Sequence, residues 1–399
     1  MTKAEGVEKR GFGKGKLLGW VHAQLPHSGS RAIELDFVRG VAILLVMGVH
    51  FYTVPTNNPL FLILQYPGQR FGGSGVDLFF VLSGFLVGGL LMKEYKASKS
   101  LDARRFIFRR GLKIWPSYYF FIFLEVVTHS HPLKSFLLQN LLHVQNYTGS
   151  ALRGTWSLAI EEHFYLALAL SMAWMVRRGW APQRMLKWFL TVMVAVLILR
   201  TGLYMIFGQV ATFQQTQSRL DSLVCGVVLA LLFHFFPEKF QALSRRKGLL
   251  VAITALVVLY LCLNDSMFIA NTIGFSIVYV GAGAFLLLVY SHSGRIRNWL
   301  PYRAVAAIGV YSYGIFLYHA SVRDACLRLA QRFPASLQWP IVMVTQYSAA
   351  ILLGMVMTRI VEWPFLRYRD RIMPQHVADI GSLKEATAEA TKIPANAKA

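Results

Sequence analysis

The stretch IELDFVRGVAILLVMGVHFY, residues Ile33 to Tyr52, decides the class of the fold. Almost every side chain in it is apolar. As a helix rising ~1.5 Å per residue it covers the ~30 Å hydrocarbon core of a bilayer. Three groups break the pattern: Asp36 and Arg39 near one end, His50 near the other. Arg39 and His50 stand eleven positions apart, about three helical turns, so they share a face and lie ~16 Å from each other along the axis. A charge at membrane depth costs about 2.5–3.5 kcal/mol on insertion scales, so such groups face a protein interior or a watery cavity. Taken singly, the arginine can snorkel to the headgroups and the histidine can bond a neighbouring helix. Two on one face point to function.

The composition agrees with a membrane-spanning chain. Of 399 residues, 55% are hydrophobic and only 15% are charged, where soluble domains carry about 25% charge. The net charge of +22 does not indicate nucleic acid, because the Lys and Arg fall in short clusters between apolar runs. That is the positive-inside pattern, with anionic headgroups of the bilayer as counter-charge. Three cysteines, Cys225, Cys262 and Cys326, make neither a disulfide framework nor a metal spacing, and no metal site is expected.

The predicted fold is all-α, a polytopic bundle of about ten transmembrane helices. They fall near 33–54, 75–92, 106–128, 155–176, 188–207, 219–236, 248–263, 272–290, 304–321 and 339–358. Basic clusters at 93–110, 177–187, 239–247, 295–303 and 359–371 alternate with poorer loops, which places both termini in the cytoplasm. The loop 322–338 departs from this rule with Arg323, Arg328 and Arg332. Residues 1–32 form a basic cytoplasmic tail and 371–399 a disordered one, so the membrane domain is 33–370. Between His131 and Gln145 the run PLKSFLLQNLLHV is too short to span and reads as an interfacial or re-entrant segment.

This topology brings His50, Asp77, Trp156, Ser157, Glu161, Glu162 and His319 to one depth, in the outer half. Ser157 and Glu161, four apart, share a face. Arg39, Arg109, Arg110 and Lys113 gather in the inner half, with Arg110 and Lys113 on one face. Clustered cations suit a phosphate-bearing ligand. A histidine beside a carboxylate suits general-base work on a hydroxyl. Asp77 also fits the plain role of a helix N-cap, and part of the basic cluster is ordinary positive-inside charge.

At these residues the chain resembles the membrane-bound acyltransferase family 3, the carbohydrate O-acyltransferase group. The resemblance is carried by Arg39-x10-His50, GVDLFFVLSGFL (Gly75–Leu86), the RR-x-x-K-I-x-P block (Arg109–Pro116) and WSLAIEEHFYL (Trp156–Leu166). RLDSLVCG with Arg219 and Asp221, YSYGIFLYH with Tyr313 and His319, and VEWPFLR (Val361–Arg367) complete it. The resemblance implies a cytoplasmic acyl-CoA donor, acetyl-CoA favoured, as co-substrate with no permanently bound cofactor. It implies a sugar, glycan or other hydroxyl acceptor, and His50 as catalytic base. Asp77 or Glu161 would orient His50, and His319 would be a second base or a donor to the oxyanion. Arg39, Arg109, Arg110 and Lys113 would hold the donor, while Trp156, Ser157, Arg219, Asp221 and Tyr313 would bind or support the acceptor. Two departures stand out: Lys113 replaces the family's second arginine, and His163 replaces a common glutamine. No appended hydrolase-like domain is expected. The rival class is a proton-coupled transporter, whose relay would use the same buried His and carboxylates.

Overall fold

In the computed structural model residues 32–374 are described, apart from 52, 129–132, 150, 151 and 153. The expected tails therefore lie outside the described residues, except at their inner edges. Among the described residues every regular element is helical. The chain runs α1 (Ile33–His50), α2 (Pro59–Phe71), α3 (Ser74–Ser98), α4 (Ala103–Thr128), α5 (Leu133–Leu141), α6 (Trp156–Arg177) and α7 (Pro182–Phe207). It continues with α8 (Leu220–Phe235), α9 (Pro237–Arg245), α10 (Lys247–Leu263), α11 (Ile273–His292), α12 (Leu300–Val310), α13 (Ser312–Tyr318), α14 (Arg323–Ala330), α15 (Ala335–Met357) and α16 (Trp363–Ile372).

Each of the ten predicted apolar segments is largely helical among the described residues. Among the described residues four helices are long and apolar enough to cross a membrane, or six if two bent pairs each count as one span. Both bends have local causes. Pro237 opens α9 and turns it 114° from α8, because proline has no N–H for the preceding turn and suits a first helical position. The segment expected as one helix at 304–321 instead breaks at Tyr311 and bends by 64°. Gly309 and Ser312 flank that break, a pair that commonly permits a kink. The bend separates Arg303 from the His319 end of the segment.

Two further differences concern polar stretches. The region 55–74, expected as a loop, holds the helix α2, started by Asn58, whose side chain accepts from the Leu60 N–H, and by Pro59. The basic stretch 359–371 is not a loop. A single π-turn, Thr358–Glu362, joins α15 to α16, which continues past the expected domain edge at 370.

Small residues set the packing. A methyl group on Gly84 of α3 would meet the Leu223 carbonyl of α8, and one on Gly226 would meet the Val81 carbonyl in return. Gly40 of α1 and Gly309 of α12 make the same kind of backbone approach, against the Val305 and Asp36 carbonyls. Lipid tails are as apolar as leucine, so helices in a bilayer gain by close van der Waals contact, which small residues allow. These approaches hold α1, α3, α8 and α12 together and fix where their polar side chains meet.

Candidate active site

A narrow cavity runs between α1, α3, α4, α6 and α13. Arg39, Arg110, Lys113, Glu161, Tyr165 and Tyr313 contribute its polar lining, and Phe79, Phe80 and Phe316 much of its apolar wall. Ser157 also lines it, one turn before Glu161 as their spacing predicts. Arg110 and Lys113 likewise enter together from one face of α4. Arg39 is held by Asp36, three residues earlier, at 2.7 Å. Arg110 donates to the Tyr165 hydroxyl at 2.8 Å with its guanidinium 4.4 Å from that ring's centre. Tyr165 in turn shares a 2.6 Å hydrogen bond with Ser83. The Arg110 guanidinium thus hydrogen-bonds a phenol, with Glu161 lining the same cavity.

Arg109 is not part of this lining. It donates to the Met373 carbonyl and lies 3.4 Å from Asp370, tying α4 to the end of α16. Glu162 also turns away from Glu161, accepting from the Trp115 indole at 2.9 Å. Tyr313, at the start of α13, donates to the Ile114 carbonyl at 3.0 Å and so closes the cavity against α4.

At the other end of α1, His50 and His319 bring their rings to 5.1 Å between centroids. The contact to His50 Nδ1 is the Val46 carbonyl of its own helix, at 3.0 Å. His319 Nδ1 meets the Phe316 carbonyl at 2.7 Å. A carbonyl only accepts, so each neutral ring carries its proton on Nδ1 and presents a basic Nε2. His319 is 2% exposed, and its Nε2 has no hydrogen-bond partner among the described residues. The orienting contact expected from Asp77 or Glu161 is thus made by a backbone carbonyl. Two links join this pair to the cavity. Phe316, which holds His319, is a cavity wall. Ser157 donates to the Gly154 carbonyl, and a Cβ placed on Gly154 would lie 4.0 Å from the His50 ring.

Asp77 belongs to a separate group of buried charges. Arg219 donates to it at 2.8 Å and Ser222 at 3.0 Å. Beside this pair Arg200 binds Asp221 at 2.7 Å, together with Ser276 and the carbonyls of Ser218 and Thr272. The Arg219 guanidinium packs 3.6 Å from the centre of the Phe275 ring. The four charges link α3, α7, α8 and α11 with their attractions internally matched. Trp156 packs between Phe80 and Phe213 at the edge of this group. Sequence reasoning missed Arg200. Its signal was a single cation inside the apolar run 188–207, a position that is costly unless paired.

A third polar group lies where the short segment after α4 packs against α6. Gln145 donates to the Tyr118 hydroxyl and to the Thr155 carbonyl, both at 3.1 Å, and Tyr118 donates to Asn140 at 3.2 Å. Asn146 donates to Thr216 at 2.9 Å, and His163 meets the same hydroxyl at 2.8 Å. His143 stacks on Tyr118 with centroids 4.9 Å apart. Its φ of 55° is the left-handed cap that ends α5, a position where glycine is the default. Burial pushes the His143 imidazole down to about 4, so it stays neutral. His143 Nε2, Gln145 Oε1 and Asn146 Oδ1 are buried without a hydrogen-bond partner among the described residues. The apolar run before these residues was legible, whereas their inward aim was not.

Residues 33–363 match the family profile described as an acyltransferase domain. A peptidoglycan O-acetyltransferase of Listeria monocytogenes is 24% identical over 315 residues, 72% of this chain and 48% of that protein. A putative peptidoglycan O-acetyltransferase of Bacillus subtilis is 26% identical over 321 residues, again 72% and 48%. An O-acetyltransferase of Staphylococcus aureus is 27% identical over 278 residues, covering 62% of this chain and 45% of its own length. The chain thus spans about half the length of the curated relatives it matches. No solved structure matches it.

Proposed function

This chain belongs to the acyltransferase family, and from that premise we propose that it is a membrane O-acyltransferase, with acetyl the favoured group. The donor is acyl-CoA taken from the cytoplasm, and the acceptor is a hydroxyl of a sugar or glycan. Two relatives are named for peptidoglycan, which is consistent with that acceptor class. On this reading the protein sits in the plasma membrane with both ends cytoplasmic, a placement the basic clusters support.

The observation that carries the reading is one cavity lined by Arg39, Arg110 and Lys113 that shares its Phe316 wall with the adjoining His50–His319 pair. Arg39, Arg110 and Lys113 meet the phosphates of the donor, where charge-assisted bonds are strongest. The pantetheine arm follows the apolar wall of Phe79, Phe80 and Phe316, which brings the thioester toward His50. His50 Nε2 takes the proton of the acceptor hydroxyl as its oxygen attacks the thioester carbonyl. The tetrahedral intermediate collapses, the C–S bond breaks, and the CoA thiolate recovers the proton from the His50 imidazolium. The oxyanion of that intermediate needs a donor. The Ser157 hydroxyl fills the role by turning its proton from the Gly154 carbonyl to the oxyanion. Asp77, Arg219 and Asp221 support the framework rather than touch the reacting atoms. His143, Gln145 and Asn146 offer their unpartnered atoms to acceptor hydroxyls.

Purified protein in liposomes with labelled acetyl-CoA and candidate glycans tests this. Transfer of label with release of free CoA is expected. Absence of both CoA binding and CoA release would instead favour the proton-coupled transporter. A burst of CoA before acceptor is added would replace direct attack by an acyl-enzyme route.

A further inference from the structure

A second cavity lies apart from the candidate active site. It is an open groove of about 750 Å³ at the turn between α6 and α7, lined by Leu170, Trp174, Trp180, Arg184, Lys187 and Trp188 among others. Its wall combines two chemistries. Arg184 and Lys187 are cationic, and Arg178 lies against the lining residue Trp174. Leu170 and the indoles are apolar, and Leu170, Trp174 and Trp188 are 54%, 49% and 46% exposed.

The cations here are held but not neutralised. The Arg184 guanidinium lies 4.2 Å from the Trp180 ring centre and that of Arg178 lies 5.8 Å from Trp174. Stacking fixes a guanidinium plane while leaving its N–H edge available. Residues 163–220 contain no Asp or Glu. Among the described residues none of Arg178, Arg184 and Lys187 has a carboxylate partner, although Arg70, Arg109, Arg200 and Arg219 all do.

We propose that this groove is a binding site for one anionic phospholipid, with its phosphodiester between Arg184, Lys187 and Arg178 and an acyl chain along Leu170 and Trp174. The apolar lining argues for lipid over free phosphate, which has no use for such a wall. A second copy of this chain is a poor occupant, because it brings +22 of like charge to a cationic mouth. Occupancy steadies the α6–α7 hairpin, and α6 carries Ser157 and Glu161 at its far end. The site does not depend on the acyl-transfer reading.

The test is native mass spectrometry of delipidated full-length protein titrated with phosphatidylglycerol, phosphatidylethanolamine or inorganic phosphate. One tightly retained phosphatidylglycerol is expected, bound about tenfold more tightly than phosphatidylethanolamine, a difference of about 1.4 kcal/mol. Inorganic phosphate should not compete at millimolar concentration. The triple variant Arg178→Gln, Arg184→Gln, Lys187→Gln should lose that preference. Trp180→Leu, which keeps every charge, should weaken phosphatidylglycerol several-fold by releasing Arg184. Equal retention of the two lipids by the wild type overturns the proposal whether or not the variants fold. Displacement by phosphate, or an unchanged preference in a folded triple variant, overturns it as well.

Discussion

Two sets of buried charge lie within this bundle, and they are built differently. Around α8, Arg200 and Arg219 each end on a carboxylate; Asp77 Oδ1 accepts from both Arg219 and the Ser222 hydroxyl, and Asp221 accepts from Arg200 and the Ser222 backbone N–H. Around α4, Arg110 ends on a tyrosine hydroxyl, and Arg110, Lys113 and Arg39 all line a cavity. Matched charges join helices. At the cavity Arg110 donates to a phenol, while Arg39 is held by Asp36. Taking a charge out of water costs several kcal/mol, offset either within the fold or by what binds. The contrast separates Asp77 and Asp221, which sit in ion pairs, from Arg110, which lines the cavity and is the residue we propose for the donor, though the sequence motifs alone cast all of them as site residues.

The largest expected effect breaks the matched set. Asp221→Ala leaves Arg200 buried and unpartnered by a carboxylate, which should cost about 3–5 kcal/mol. Fluorescence-detected size exclusion should show loss of the monodisperse peak, and thermal melting a marked drop in any remainder. A well-folded, inactive Asp221→Ala protein would move Asp221 into the site. Next comes Arg110→Lys, which keeps the charge but loses the planar fork. We expect normal folding and a donor KM raised about tenfold, near 1.4 kcal/mol, measured by steady-state kinetics with acetyl-CoA varied.

Smaller effects sharpen the same division. Gln145→Leu leaves the donor end untouched, so donor KM should hold while acceptor KM rises by about fivefold, the loss of a net hydrogen bond of about 1 kcal/mol. Lys113→Arg restores the fork that a paired arginine would supply. It should lower donor KM by about threefold, the value of a modest added contact. If Lys113→Arg left donor affinity unchanged while altering acceptor affinity, the direction of the cavity would have to be reversed.

Much of this was legible before any coordinates. The apolar segments announced their helices because a membrane span must be long and continuous. The eleven-residue interval placed Arg39 and His50 at opposite ends of one face, and the i, i+4 spacing placed Ser157 beside Glu161. What stayed hidden depends on partners distant in sequence. Nothing local in GVDLFFVLSGFL says that Asp77 meets Arg219 rather than His50. That contact follows from the backbone approach of Gly84 and Gly226, a property of two helices together. The kink at Tyr311 was equally invisible, because YSYGIFLYH reads as a helix whether straight or bent. Helix α2 was hidden because thirteen residues with two prolines, Pro59 and Pro67, carry too weak a signal.

The central claim is that α1 divides its labour, with donor contacts at Arg39 and proton transfer at His50. The direct test is to measure acetyl transfer and acetyl-CoA binding on one preparation of folded His50→Ala protein in liposomes. Removing a general base should cost about 10²–10⁴-fold in transfer, while the donor Kd stays within about threefold of wild type, under 0.7 kcal/mol. Near-normal transfer by that variant, or loss of donor binding in step with transfer, would contradict the division.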